Sequence, residues 1–409
     1  MDNPRRLDKN VKISSTEMEM LGEENVRSGT IEALLSDLAK EKPQPFSYEQ
    51  LHSFTSDFKF KIGSGGFGEV YKGEFPDGVQ IAVKVLKNYT RDVMEKQFRS
   101  EVGTTGRTYH PNLIKLYGYC NDAKILALIY EYMENGSFDK ILFKNHLDIQ
   151  WVKLYDIAID IAKGISYLHE SQIIHHDIKP GNVLLDSKLS PKVTDFGLAR
   201  VNRELSLFTQ TGFRGTPGYA APEVFMGPQV KVSSKCDVFS FGMMLFDILG
   251  SKRNSKSQEW LPGQVWVHFK KKRLDKIVRD CGIGKDDEAD AKTLCVIALS
   301  CAQHDPQNRP SMSTVVKMLE GEISPWTPVN PFPYYDTSSE SNTRGSSTRA
   351  RRRGQPAMSE SSATSSSTGT RRRGQAPMSE SSATGGSTGT RRHGQPPMVS
   401  PTFDKRYNH

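Results

Sequence analysis

No stretch of about 18 consecutive apolar residues, the minimum for a bilayer-spanning helix, occurs in the chain. The first residues lack an apolar signal-peptide core, and position 2 is Asp2 rather than glycine, so neither secretion nor myristoylation is indicated. Cysteine is scarce. The five present, Cys120, Cys236, Cys281, Cys295 and Cys301, are odd in number and form no Cys-x-x-Cys pair. That excludes a disulfide framework and a cysteine zinc site, and fits reduced thiols in a cytoplasmic protein. Most of the chain also lacks excess positive charge. The net charge is +8, yet residues 344–409 alone carry twelve Lys and Arg against three Asp and Glu, which leaves −1 for the remainder. The basic character belongs to the tail, and no aromatic residue interleaves its arginine clusters. Base stacking therefore has no platform, and a nucleic-acid partner is not expected.

What the tail does contain is a repeat. Arg351-Arg352-Arg353-Gly354-Gln355, Arg371-Arg372-Arg373-Gly374-Gln375 and Arg391-Arg392-His393-Gly394-Gln395 recur every 20 residues, with Ser, Thr and Gly between them. Without apolar positions to stack, this is not a solenoid, and disorder is expected over 324–409. At the other end, residues 1–56 read as a partly ordered lead-in. Its one amphipathic stretch places Ile31, Leu34, Leu35 and Leu38 at helical spacing before Lys42-Pro43 stops it. Between these ends the pattern changes once. Residues 57–133 are β-rich, with Val79, Ile81, Val83 and Val85 alternating, and one helix is expected near 93–105. After Gly136 the chain turns helical through 323. There Leu154, Ile157, Ile161, Ile165 and Leu168 trace the apolar face of a long helix. The fold class is α+β: a small β-rich part, then a larger helical part.

Just beyond that long helix the sequence is Ile174-His175-His176-Asp177-Ile178-Lys179-Pro180-Gly181-Asn182, with Asp195-Phe196-Gly197 downstream. An Asp and an Asn five positions apart, a Lys between them and a second Asp later are the parts that phosphoryl transfer requires. One carboxylate accepts the proton of a hydroxyl, the ammonium offsets charge on the moving phosphoryl group, and the remaining oxygens hold a hard cation.

The ordered motifs resemble those of eukaryotic protein kinases over roughly 57–320. Gly63-Ser64-Gly65-Gly66-Phe67-Gly68-Glu69-Val70 matches the glycine-rich loop, Ile81-Ala82-Val83-Lys84 the lysine strand, and Ala220-Ala221-Pro222-Glu223 the close of the activation segment. The resemblance implies a bilobal fold, with an N-lobe over 57–133 and a C-lobe over 134–323, and ATP with Mg2+ between the lobes. It implies that Asp177 is the catalytic base, Lys179 its phosphate partner, and Asn182 and Asp195 the metal ligands. Lys84 contacts the ATP phosphates and pairs with a helix glutamate, Glu101, with Glu95 as the alternative. ATP is expected against Ile62, Gly63, Ser64, Gly65, Gly66, Phe67, Gly68, Val70, Ala82 and Leu184. The backbones of Glu131 and Met133 form the hinge, and Tyr130 is the gatekeeper. Lys179-Pro180-Gly181-Asn182 and Gly215-Thr216-Pro217-Gly218-Tyr219 are similar to Ser/Thr rather than Tyr kinases, with Thr216 bridging toward Asp177. Glu223 and Arg309 match the pair tying the activation segment to the C-lobe, and Asp237 the residue that braces the catalytic loop. A kinase-fold scaffold without catalysis is the competing reading, and the complete residue set weighs against it.

Two residues depart from the pattern. His176 stands where most of the family carries Arg, so the usual salt link to a phosphorylated activation segment is weakened, and Thr209 and Thr211 become optional phosphosites. Thr105, four positions after Glu101, stands at a place usually apolar. Gly118-Tyr119-Cys120, Tyr130-Glu131-Tyr132-Met133-Glu134-Asn135-Gly136-Ser137 and Arg309-Pro310-Ser311-Met312 resemble plant receptor-like kinases. Pro45-Phe46-Ser47-Tyr48 and Phe75-Pro76-Asp77-Gly78-Val79 narrow this to the lectin-receptor and leaf-rust-resistance branch. The resemblance implies protein substrates, a receptor partner at the plasma membrane, a cytoplasmic location and defence signalling.

Overall fold

A computed structural model describes residues 42–333, except 67, 88, 145–148, 202–214, 227–229, 231 and 254–259. The amphipathic stretch at 31–38, the arginine repeats, Phe67, Thr209 and Thr211 thus lie outside the described residues.

The expected alternation builds the centre of the first layer. Ile81, Val83 and Val85 are at most 3% exposed, while Ala82 and Lys84 project to the opposite face. The strand starts one residue later than the valine pattern suggests. Val79 is 39% exposed and belongs to the preceding turn, where its amide donates to the Asp77 side chain at 3.2 Å and Gly78 takes a φ of +88°. In chain order the lobe comprises β1 (Gln44–Pro45), α1 (Tyr48–Phe54), β2 (Lys61–Gly65), β3 (Gly68–Glu74), β4 (Gln80–Leu86), α2 (Arg91–Thr105), β5 (Leu116–Asn121) and β6 (Leu126–Glu131). The strands form one sheet ordered β1-β5-β6-β4-β3-β2.

Residues before 57 take part in this lobe. β1 lies parallel to β5, with Gln44 opposite Gly118, and Gly118 has no Cβ to collide with the Gln44 carbonyl, which an ideal Cβ would approach to 2.3 Å. Ser47 and Gln50 make a reciprocal capping box at the start of α1. α1 then buries Leu51 among Tyr71, Ile81 and Val83.

The second lobe opens with β7 (Gly136–Ser137) and α3 (Phe138–Lys144), then α4 (Trp151–Glu170). On α4 the apolar stripe is buried as its period requires: Leu154, Ile157, Ile161, Ile165 and Leu168 are all at most 3% exposed. Each such side chain contributes roughly 1.5–3 kcal/mol of burial. Short strands follow: β8 (Ile173–Ile174), β9 (Val183–Leu185), β10 (Pro191–Val193) and β11 (Arg200–Val201). The helices α5 (Lys235–Gly250), α6 (Leu261–Lys270), α7 (Leu274–Asp280), α8 (Glu288–Cys301) and α9 (Met312–Leu319) complete it. β8 pairs with β11 and β9 with β7 and β10, so the loop between β8 and β9 is held at both ends. All five cysteines are buried free thiols. Packing continues past residue 323: Phe332 sits 4.6 Å from Trp260 and 6.4 Å from Phe246, centroid to centroid. Among the described residues no helix is long and apolar enough to cross a membrane.

Candidate active site

The loop after β8 is clamped from below. Asp237, in the first turn of α5 and fully buried, accepts the amide hydrogens of His175 and His176 at 2.8 Å each, and its Oδ2 lies 3.0 Å from His169 Nε2. Burial alone pushes this carboxyl up. The His169 hydrogen bond and the charges of His169, His176 and His175 outweigh that and hold it at about 2. The clamp fixes a left-handed turn that a non-glycine residue avoids, for His176 has φ +70°. Its ring points toward α5, with Nδ1 3.7 Å from Cys236 Sγ.

That turn delivers Asp177 into a closed group of donors. Thr216 Oγ1 donates to Asp177 Oδ1 at 2.7 Å, and Lys179 Nζ reaches Asp177 Oδ2 and Thr216 Oγ1, both at 2.7 Å. Asn182 Nδ2 donates to Asp177 Oδ2 at 2.9 Å and to its carbonyl at 2.8 Å. The anticipated bridge from Thr216 is therefore present, and Asp177, Lys179 and Asn182 meet around one carboxylate.

The second cluster lies where the lobes face each other. Lys84 Nζ is 2.8 Å from Glu101 Oε1 and 2.8 Å from Asp195 Oδ1. Burial acts to lower the Lys84 pKa, but the two carboxylates more than reverse it, so the ammonium is held above its usual range. In turn Lys84 holds the Asp195 carboxyl below its usual range against the effect of burial. Glu101 is fully buried on α2. Glu95 points to the exposed side and pairs with Arg91 at 3.0 Å and Arg99 at 3.7 Å, which removes it as the lysine's partner. Ser100 ties α2 to the Asp195-Phe196-Gly197 turn, donating to the carbonyls of Phe196 (3.0 Å) and Ala199 (2.9 Å). Phe196 is fully buried, its ring 5.1 Å from that of His175. Thr105 is buried at 4% exposure on α2, and its Oγ1 has no hydrogen-bond partner among the described residues.

Above Lys84, β2 and β3 form a hairpin with Gly63 opposite Val70 and Gly65 opposite Gly68, and Val70 pairs in register with Lys84. Gly68, at φ +144°, is obligatory, since an ideal Cβ there would sit 2.0 Å from the Val85 carbonyl oxygen. At Gly65 nothing lies within 4 Å of such a Cβ, so its backbone faces open space. Ile62 and Ser64 are exposed on the same hairpin, while Ala82 and Leu184 are half-buried below it. The chain crosses between lobes at Glu131–Asn135. Glu131 gives its amide hydrogen to the Lys115 carbonyl at 3.1 Å, and its side chain accepts from the Lys115 amide at 2.7 Å and pairs with Lys192 at 3.0 Å. Met133 is buried and its carbonyl accepts from Gly136 at 3.2 Å.

Three contacts were not foreseen in the sequence. Tyr130 donates its phenolic hydrogen to Glu101 Oε2. Tyr219 donates to Asp247 Oδ2 at 2.7 Å, where burial pushes the aspartate up to about 7 even though the tyrosine bond opposes it. Lys235 donates to the Arg309 carbonyl while the Arg309 guanidinium makes a two-pronged bond to Glu223, at 2.6 and 2.8 Å. The Glu223–Arg309 pair itself was legible. The others join residues with no shared motif, so sequence spacing carried no signal.

A β lobe and a helical lobe joined by one crossing segment, with Lys84, Glu101 and Asp195 on one side and Asp177, Lys179 and Asn182 on the other, define a protein kinase. A sequence profile of the family described as protein tyrosine and serine/threonine kinase matches residues 57–319, and the chain belongs to that family. Its relatives are plant receptor-like kinases. It is 39% identical over 316 residues to the rust resistance kinase Lr10 of Triticum aestivum, covering 74% of this chain and 49% of that protein. It is 41% identical over 288 residues to the leaf rust 10 disease-resistance locus receptor-like protein kinase-like 2.4 of Arabidopsis thaliana, covering 68% and 46%. With the PR5-like receptor kinase of Arabidopsis thaliana it shares 39% over 303 residues, covering 70% and 45%. The chain thus spans about half the length of these relatives.

Proposed function

We propose that this kinase transfers the γ-phosphate of ATP to serine and threonine hydroxyls of proteins in plant receptor-linked defence signalling. The observation carrying the reading is the Asp177–Lys179–Thr216 triangle, in which each pair of side chains lies 2.7 Å apart. Asp177 Oδ1 is positioned to accept the proton of an incoming hydroxyl as its oxygen attacks the γ-phosphorus and the bond to the bridging oxygen of ADP breaks. Lys179 offsets charge on the phosphoryl oxygens. Lys84 orients the α- and β-phosphates, and Glu101 keeps Lys84 in place.

The oxygen donors present fit magnesium. Asn182 turns its amide nitrogen to Asp177, which leaves Oδ1 as an acceptor, and Asp195 gives only Oδ1 to Lys84. No group of three or more His, Cys, Asp or Glu side chains suited to a metal occurs among the described residues. Two protein oxygens completed by substrate phosphates and water is the way magnesium is usually bound. Asn182 and Asp195 would hold the ion, which would neutralise phosphate charge when bound. With the Glu131 amide committed to Lys115, the Glu131 carbonyl and the Met133 amide are the hinge groups offered to an adenine edge.

We further propose a receptor partner at the plasma membrane; the words resistance and receptor in the names of the relatives support the receptor link and the role in resistance. The deciding experiment compares wild type with Asp177→Asn for autophosphorylation and for phosphorylation of a generic protein substrate with Mg-ATP. Phosphosites are then mapped. Label on serine and threonine that is lost in the variant supports the reading. Equal labelling of the two proteins defeats the enzyme reading, and tyrosine-only sites defeat the specificity.

A further inference from the structure

We propose that Ser324 is a phosphorylation site for a proline-directed protein kinase, presented on an exposed strap packed against the helical lobe, and that the fold shields the neighbouring Thr327-Pro328 from the same enzyme. The strap follows α9 and reads Ser324-Pro325-Trp326-Thr327-Pro328-Val329-Asn330-Pro331-Phe332. Pro325, Pro328 and Pro331 recur every three residues, the repeat of a polyproline II helix, and a residue before proline is driven to extended backbone. The three prolines therefore share one face. Pro325 is half-buried, and Pro328 and Pro331 are buried. The other faces carry exposed Ser324, Trp326, Thr327 and Val329, with Trp326 at 45% and Val329 at 65%.

The surroundings of Ser324 select the class of enzyme. No Lys or Arg occurs from 318 to 333, and no Asp or Glu follows Ser324 within that span, so neither a basic signal nor a downstream acidic one flanks the hydroxyl. The feature beside it is Pro325, which has an apolar ring and no amide hydrogen. Ser/Thr-Pro pairs elsewhere among the described residues are engaged: Pro191 is buried in β10, and Thr216 donates to Asp177. From Glu320 to Thr327 every residue except Pro325 is exposed, so an enzyme can grip both sides of Ser324. The strap is already extended, which lowers the ordering cost of entering an active site. The donor is ATP. The bond from Ser324 Oγ to the γ-phosphorus forms, the bond from that phosphorus to the bridging oxygen breaks, ADP leaves, and the hydroxyl proton passes to the catalytic base of the added enzyme.

Thr327 is exposed too, but the residues after it are tied down. Pro328 is buried, and the Val329 carbonyl accepts from Gln303 Nε2 at 2.9 Å. Phe332 is buried against Trp260 and Phe246. An enzyme that takes Thr327-Pro328 must first lift these contacts off the lobe. The same anchors decide what a phosphate at Ser324 does. It stands close in sequence to Glu322 and to the carbonyl end of α9, where the Lys317 carbonyl accepts the amides of Glu322 and Ile323 at 2.9 and 3.3 Å. Both are sources of repulsion, yet they act between exposed groups and are screened by salt, whereas the anchors downstream are buried. The phosphate is therefore displayed on the surface beside Trp326, and the strap stays in place.

The test incubates the full-length chain in Mg-ATP with and without a purified mitogen-activated protein kinase and maps initial labelling rates site by site by mass spectrometry. Because Ser324 is read only against the added enzyme, the outcome is independent of whether this chain transfers phosphate itself. With the enzyme, Ser324 should be labelled roughly tenfold or more faster than Thr327, since the latter must wait for local opening of the strap. Pro325→Ala should abolish labelling of Ser324. Gln303→Ala/Phe332→Ala, which frees the strap, should raise labelling of Thr327 toward that of Ser324. The thermal midpoint of the phosphorylated chain should stay within about 3 °C of the unmodified one. No label on Ser324 overturns the proposal, as does label that persists in Pro325→Ala or that appears without the added enzyme. Equal labelling of Thr327 and Ser324 in the wild type overturns the shielding, and a larger fall in midpoint overturns the display of the phosphate on a strap that stays in place.

Discussion

Tyr130, the last buried residue of β6, hydrogen-bonds the carboxylate of Glu101 that also holds Lys84. One oxygen of Glu101 takes the ammonium and the other the phenol, so a fully buried acid has both its acceptors engaged. Burial, reinforced by the Glu101 charge, drives the Tyr130 hydroxyl well above its ordinary pKa, so it stays a donor across the working pH range. Tyr130 thus serves as a latch on α2.

Tyr130→Phe removes that donor and leaves Glu101 Oε2 buried without it. The expected cost is about 1–3 kcal/mol of stability, together with a lower kcat from a looser Lys84–Glu101 pair. Urea denaturation at constant m-value and steady-state kinetics check the two halves separately. An unchanged midpoint would show that the phenol contributes nothing.

Arg309→Ala strands Glu223 as an unpaired charge at 2% exposure. Breaking a buried pair from one side costs about 3–5 kcal/mol. The loss should appear as a much lower denaturation midpoint. Glu223→Gln/Arg309→Met, which removes both charges, should recover most of it.

Asp247 gives a pH signature. Its carboxyl is pushed from 3.8 up to about 7 in the folded protein. Between those values the unfolded chain is ionised at this site while the native one keeps its proton. The native state therefore binds more protons, and stability falls as pH rises across the window, approaching about 1.4 kcal/mol per pH unit from this group. Above about 7 both states are ionised and its contribution is flat. Asp247→Asn should flatten the stability profile between pH 4 and 7 relative to wild type, at roughly that slope. Parallel profiles would place the charge of Asp247 elsewhere in the titration.

At His176 the family's phosphate-binding arginine is absent, and the ring lies against Cys236 on α5. His176→Arg restores a permanent cation beside the catalytic loop and should increase the dependence of activity on activation-segment phosphorylation. The ratio of activities before and after phosphatase treatment reads this directly. An identical ratio in both proteins would show that control lies away from position 176.

Much of the site was visible in the sequence because its chemistry is written in short motifs. Asp177, Lys179 and Asn182 are fixed by a few bonds of one loop, and the turn that presents them needs only Asp237 beneath it. Glu101 could be preferred to Glu95 for its place in Phe98–Val102 on the helix before His110-Pro111-Asn112, and its burial, against the salt pairing of Glu95 on the outer face, explains why it is the one that meets Lys84. Tyr130–Glu101 and Tyr219–Asp247 were invisible because residues 29 and 28 positions apart meet only through the packing of whole elements. The ends of the lobes were hard to read for a different reason. β1 has two residues, one of them proline, so no alternation exists to detect. Phe332 packs onto the helical lobe from a proline-rich stretch with no period at all.

That two-residue strand has one more consequence. Among the described residues β1 is the outermost strand on its side of the sheet, and Pro45 supplies no amide hydrogen there. A free β5 would present a run of unpaired main-chain groups to any neighbouring chain. Covered by a short strand ending in proline, the edge offers too little to template a further strand. The segment that ties the N-terminus to the lobe therefore also protects this kinase against edge-to-edge self-association, a safeguard of solubility rather than of catalysis.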